Sequence, residues 1–217
     1  MNPLTLLQDS LYFFRRNFGS ILTLCLPLVV LEALTKQLIG LEQSTGTAQL
    51  LIGLLFYPLY TGALILFMDA KTRGEEPVKS SLWAAALRMW PLFAVLTALS
   101  TLLIMAGMSL FILPGVWVMI KLVFSEYLLV LRGMGPLDAM RASFRMTQGH
   151  VLRIFTCVLC VYIPLSLLEA LSYYVLPDQQ SPMLSIAVDS VSSFLQLFIS
   201  VVMFRLFMLI DTPARPA

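Results

Sequence analysis

Of the ionisable side chains inside otherwise apolar runs of this sequence, five are the candidates for chemistry: Glu32, Lys36, Lys121, Glu126 and Glu169. Charge in hydrocarbon is costly, and where it is retained it faces a bundle interior, a partner or a polar path. Glu32 and Lys36 are four apart with the acid first, the favourable order for a helical ion pair. Mutual neutralisation therefore stands beside a functional role for them. Lys121 and Glu126 are five apart, so they point to different sides of a helix, and each needs its own partner or a snorkelling route to the interface. Cys157 and Cys160 share a helix face and invite comparison with Cys25. No histidine or acid accompanies them at ligand spacing, so they read as buried small residues rather than a metal site. His150 is the single histidine and cannot assemble a site alone. No phosphate-cradling glycine loop, HExxH or GxSxG is present. The expectation is a chain that is not an enzyme, without catalytic, cofactor-binding or metal-binding residues.

The elements that must position these groups follow from composition. Hydrophobic residues make up 59% of the 217, charged ones 12%, and the apolar residues fall in blocks of about 20, the length of a membrane-crossing helix. The runs are continuous rather than alternating, which excludes a β-barrel as the reading and leaves helices. The fold class expected is all-α: a single integral membrane domain over 1–217 with six transmembrane helices and cytoplasmic interfacial helices. The spans fall at about 19–39, 48–68, 91–110, 113–131, 154–176 and 183–210. Residues 91–131 hold only Lys121 and Glu126 as charges and would extend roughly 61 Å as one helix, twice the hydrocarbon thickness. Two spans must therefore fold back on each other, with a tight turn within Gly107 to Gly115.

Three amphipathic stretches, about 4–18, 78–90 and 136–149, are too polar to span and read as interfacial helices. In the first, Leu4, Leu7, Leu11, Phe14 and Phe18 recur at helical spacing opposite Arg15 and Arg16. In the third, Asp138, Arg141, Arg145 and Gln148 occupy an arc of about 80°, with Leu137, Met140 and Phe144 beside it. Arg15, Arg16, Arg141, Arg145 and Arg153 are the candidate lipid or partner surface. Lysine and arginine concentrate in the N-terminal helix, in 69–90, in 132–153 and at the C-terminal end, whereas the links at 41–47, 107–115 and 177–182 carry none. By the positive-inside rule both termini are cytoplasmic. With a net charge of +2 and its cations in short loops, the chain offers nothing to nucleic acid; its partners are membrane lipids and, possible at the cytoplasmic face, a protein.

PLVVLEAL from Pro27 recurs as PLSLLEAL from Pro164, which sets Glu32 and Glu169 at matching depth. Asp9 and Arg16 repeat the seven-residue spacing of Asp138 and Arg145. Three parallel units follow, 4–68, 78–131 and 136–210, each a surface helix and a transmembrane hairpin.

Pro114-Gly115, then Leu129-Val130-Leu131, then Gly135, Ala139, Arg141, Ser143, Thr147 and Gly149 follow one another in an order that resembles YciC-like inner-membrane proteins. A related pattern occurs in the membrane domain attached to some glycerophosphodiester phosphodiesterases. The opening DSLYFFRRNFGSIL and the closing FRLFMLI extend the likeness over nearly the full length. The resemblance implies a bacterial inner-membrane protein and carries no catalytic residue over. The function expected is that of a non-catalytic membrane protein acting through lipids or protein partners. A small-solute or lipid transporter lined by the intramembrane charges is the alternative, and an intramembrane enzyme is disfavoured.

Overall fold

The computed structural model describes residues 3–38, 46–175 and 182–211. Among them the backbone is helical nearly throughout and no strand occurs: α1 Pro3–Arg16, α2 Phe18–Leu38, α3 Gly46–Thr72, α4 Lys79–Leu110, α5 Ile112–Leu122, α6 Ser125–Arg132, α7 Pro136–Met146, α8 Val151–Val175 and α9 Pro182–Asp211. Four stretches are long and apolar enough to cross a membrane: Phe18–Lys36, Leu50–Thr72, Lys79–Leu110 and Ile112–Arg132. A fifth is counted if α7 and the first part of α8, which meet at 102°, are one bent span. The expected fifth and sixth spans fall on α8 and α9, and the expected links around 41–45 and 177–181 lie outside the described residues.

Side chains explain how the helices assemble. Gly62 on α3 lies against Ala86 and Phe93 of α4. Beside that contact Trp90 Nε1 donates to the Leu55 carbonyl at 2.9 Å. This seam explains a departure from the sequence reading: a surface helix at 78–90 and a span at 91–110 are one continuous helix, α4, with Pro91 inside it. Proline removes one backbone hydrogen bond, and the packing on α3 outweighs that local loss.

The turn expected between Gly107 and Gly115 is a single extended residue, Phe111. α4 and α5 leave it in backbone contact, since a Cβ on Gly107 would lie 2.9 Å from Gly115 Cα. Small residues that let backbones meet are the usual glue between membrane helices.

The expected fourth span, 113–131, is divided at Val123-Phe124 into α5 and α6. Ser143 of α7, completely buried, bridges this break. Its hydroxyl donates to the Lys121 carbonyl at 2.6 Å and accepts from the Phe124 N–H at 3.2 Å. α9 closes the bundle on the other side of α6. Tyr127 Oη donates to the Ser200 carbonyl at 2.9 Å, its ring stacks on Phe207, and Arg132 pairs with Asp211. That pair is solvent-facing at both ends, so it contributes well under ~1 kcal/mol.

α1 packs on α9 through Phe14 against Phe198 and through Phe13 beneath the Arg205 guanidinium. Its buried stripe is Leu6, Ser10 and Phe14, while Leu11 is exposed. The expected apolar face of α1 is thus rotated, and part of it is turned outward.

Candidate functional site

α7 is built by recognisable local rules. Gly133 ends α6 in the left-handed region at φ 62°, a conformation glycine adopts without steric cost. Gly135 then caps α7 and Pro136 takes its first turn, where the missing N–H is not needed. Ala139, Ser143 and Thr147, four apart, are completely buried. Thr147 Oγ1 donates back to the Ser143 carbonyl at 2.9 Å. Gly149 has φ 77°, in the turn before α8. The order of residues that carried the resemblance is therefore a packing code: its small residues are the face of α7 that seats on α5 and α6.

The opposite faces of α7 remain open. Arg141 and Arg145 are exposed, and with Leu137, Met140 and Phe144 they line a surface groove. Trp117 of α5 packs edge-on against Phe144 at 5.8 Å between ring centroids. On Trp117's ring also rests Lys121 Nζ, 5.6 Å from the centroid. Asp138 reaches Arg141 only at 3.9 Å. No carboxylate among the described residues pairs with Arg145 or Lys121.

α7 is more than a helix lying on the end of a span. Ser143 meets the chain 8 to 11 residues before Arg132, roughly 12–17 Å along the helix axis. α7 therefore folds back along the α6–α5 flank.

The intramembrane charges separate into pairs with their own partners. Glu32 and Lys36 form the predicted ion pair at 2.7 Å, with Glu32 buried. Glu126 is satisfied by Tyr57, whose hydroxyl lies 3.1 Å from both carboxylate oxygens. Tyr57 packs edge-on against Tyr60 and Phe93. Lys121 stands apart, above Trp117. Glu169 belongs to α8, but its side chain lies outside the described residues. Arg15, Arg16 and Arg153 are exposed at the end of α1 and the start of α8. Cys25 and Cys157 are buried and Cys160 exposed, all as free thiols, and no group of three potential metal ligands forms among the described residues. His150 Nδ1 sits 3.1 Å from the Gln148 carbonyl, inside its own turn.

Sequence reasoning missed Tyr57, Trp117 and Ser143 as positioning groups. Only Ser143 had a signal, its place in the ordered motif.

Removing Tyr57's hydroxyl strands a partly buried carboxylate. Tyr57→Phe is expected to cost about 1 kcal/mol, read as a fall in thermal stability in mild detergent. Paired with Glu126→Gln in a double-mutant cycle, it should give a coupling of at least ~0.5 kcal/mol; strict additivity would deny the bond.

The chain is 29% identical over 154 residues to a UPF0259 membrane protein of Yersinia pestis (strain Pestoides F) and, at the same identity, to one of Yersinia pseudotuberculosis serotype O:3 (strain YPIII). The match takes in 70% of this chain and 59% of each relative, so the chain spans about three-fifths of the length of the curated relatives it matches. No family model matches, and no solved structure matches. Apolar helices, all-helical fold and relatives named as membrane proteins agree on one identification: this is a multi-pass membrane protein.

Proposed function

We propose that this is a non-catalytic bacterial inner-membrane protein that acts through lipid or protein partners held at its cytoplasmic face. It crosses six times, keeps both termini in the cytoplasm, and is assembled from three parallel units of surface helix and hairpin. One observation supports the reading above others: α7 buries its small residues against α5 and α6 and leaves Arg141, Arg145 and an apolar groove free for a partner. The likeness to the Yersinia proteins named as membrane proteins supports the membrane part of the reading, and the resemblance to YciC-like proteins supports its inner-membrane part.

The transporter reading is favoured by a different observation, the Tyr57–Glu126 pair and the Glu32–Lys36 ion pair set among apolar helices. Complementation of a deletion strain separates the two. Arg141→Gln with Arg145→Gln, at normal membrane level and topology, is expected to abolish complementation, whereas Glu32→Gln and Glu126→Gln retain it. The reverse pattern would transfer the function to the intramembrane charges.

A further inference from the structure

We propose that the groove along α7, beside α5, binds one anionic phospholipid of the surrounding bilayer, its phosphate on Arg141 and Arg145 and an acyl chain along Leu137, Met140 and Phe144 toward the neighbouring Trp117. The proposal rests on the reading that surface helices hold lipid partners, and it names the site and the ligand class.

Placement is the first argument. Ser143 is fixed to the α5–α6 break, and Arg145, two residues beyond it in the chain, is exposed beside that apolar stretch. Arginine beside hydrocarbon is costly unless it reaches an anion. Asp138 lies near Arg141 only, at 3.9 Å, and no described carboxylate pairs with Arg145. Among the described residues the protein supplies the cations and no matching anion.

The second argument is shape and chemistry. Guanidinium groups match phosphate oxygens with paired, charge-assisted hydrogen bonds. The groove beside them is apolar and open: Leu137 is 58% and Trp117 49% exposed. Its surface continues along α5 to Leu113, also exposed. A phosphate bonded to a fatty chain satisfies both parts at once, and an acidic peptide would leave the apolar part bare. Lys121, over the Trp117 ring, adds positive potential and favours a headgroup of net negative charge over a zwitterionic one.

The test uses the full-length protein in neutral detergent, titrated with phosphatidylglycerol or phosphatidylcholine and followed by native mass spectrometry. Wild type is expected to retain phosphatidylglycerol in preference to phosphatidylcholine. Arg141→Gln with Arg145→Gln should lower phosphatidylglycerol affinity about 100-fold, at about tenfold for each charged hydrogen-bonding group, and leave phosphatidylcholine unchanged. Phe144→Ala should weaken both lipids alike. If the double variant binds phosphatidylglycerol within twofold of wild type, the lipid sits elsewhere and the site is wrong while the wider reading survives. If wild type shows no preference between the lipids, the site and the lipid arm of the wider reading fail together, and this comparison decides even where the double variant does not fold. Retention of an acidic protein at these arginines in place of lipid would also overturn the proposal.

Discussion

Ser143→Ala is expected to destabilise the protein by about 2–6 kcal/mol, because it orphans two buried backbone groups at once, each costing about 1–3 kcal/mol. The hydroxyl serves both the Lys121 carbonyl and the Phe124 N–H at the α5–α6 break. Alanine is small enough to avoid strain at a completely buried position, so the loss measures hydrogen bonding rather than packing. Thermal or denaturant unfolding in mild detergent reads it. A change below ~0.5 kcal/mol would mean that water satisfies the break in place of the hydroxyl. Because Ser143 also locks α7 to its seat, the same variant should loosen the groove and weaken whatever α7 holds.

The second large effect belongs to the α4–α5 turn. A Cβ on Gly115 would lie 2.5 Å from Met108 Cγ and 2.8 Å from the Met108 backbone nitrogen, and one on Gly107 would meet Gly115 backbone at 2.9 Å. Met108's side chain can swing away; backbone cannot. Gly107→Ala is therefore expected to force the hairpin apart at about 1–3 kcal/mol, the range of overpacking, with Gly107→Val worse. Gly53→Ala is the control: nothing lies within 4 Å of its added methyl, and alanine is the better helix former by ~1 kcal/mol. Melting temperatures of the three variants in one detergent check the order.

Much of the helical frame was legible because apolar block length and breaker residues report directly on membrane helices. The ends of α1, α2, α7 and α8 fall within a few residues of those expected, and Phe111 lies inside the expected turn. What escaped was decided by distant contacts. Nothing in the local sequence Val123-Phe124-Ser125 announces a break, since neither glycine nor proline stands there; the stabilising hydroxyl comes from Ser143, 19 to 22 residues later. Pro91 announces a break that does not occur, because Trp90 and Phe93 bind α4 to α3. On α1 the count of leucines suggested one face, yet Ser10 can be buried because its hydroxyl donates to the Leu6 carbonyl at 2.7 Å.

The site was legible in kind and not in detail. Glu32 and Lys36 are local partners at helical spacing, so the sequence states their pairing. Glu126 finds Tyr57 69 residues away, a relation no helical period encodes. The cations of α7 were readable as a stripe. That they flank an open apolar groove depends on where α5 places Trp117, which only the packed bundle decides.

The central claim is that this protein works by holding a partner and not by turning over or carrying a solute. Gentle extraction from its own membrane into lipid nanodiscs, followed by native mass spectrometry of the intact species, tests it directly. The account predicts a protein that leaves the membrane with anionic phospholipid or a second protein attached, and that loses that companion when Arg141 and Arg145 are replaced by glutamine. A small water-soluble solute retained through Glu126 and released by Glu126→Gln, with no companion lost on changing the arginines, would contradict it.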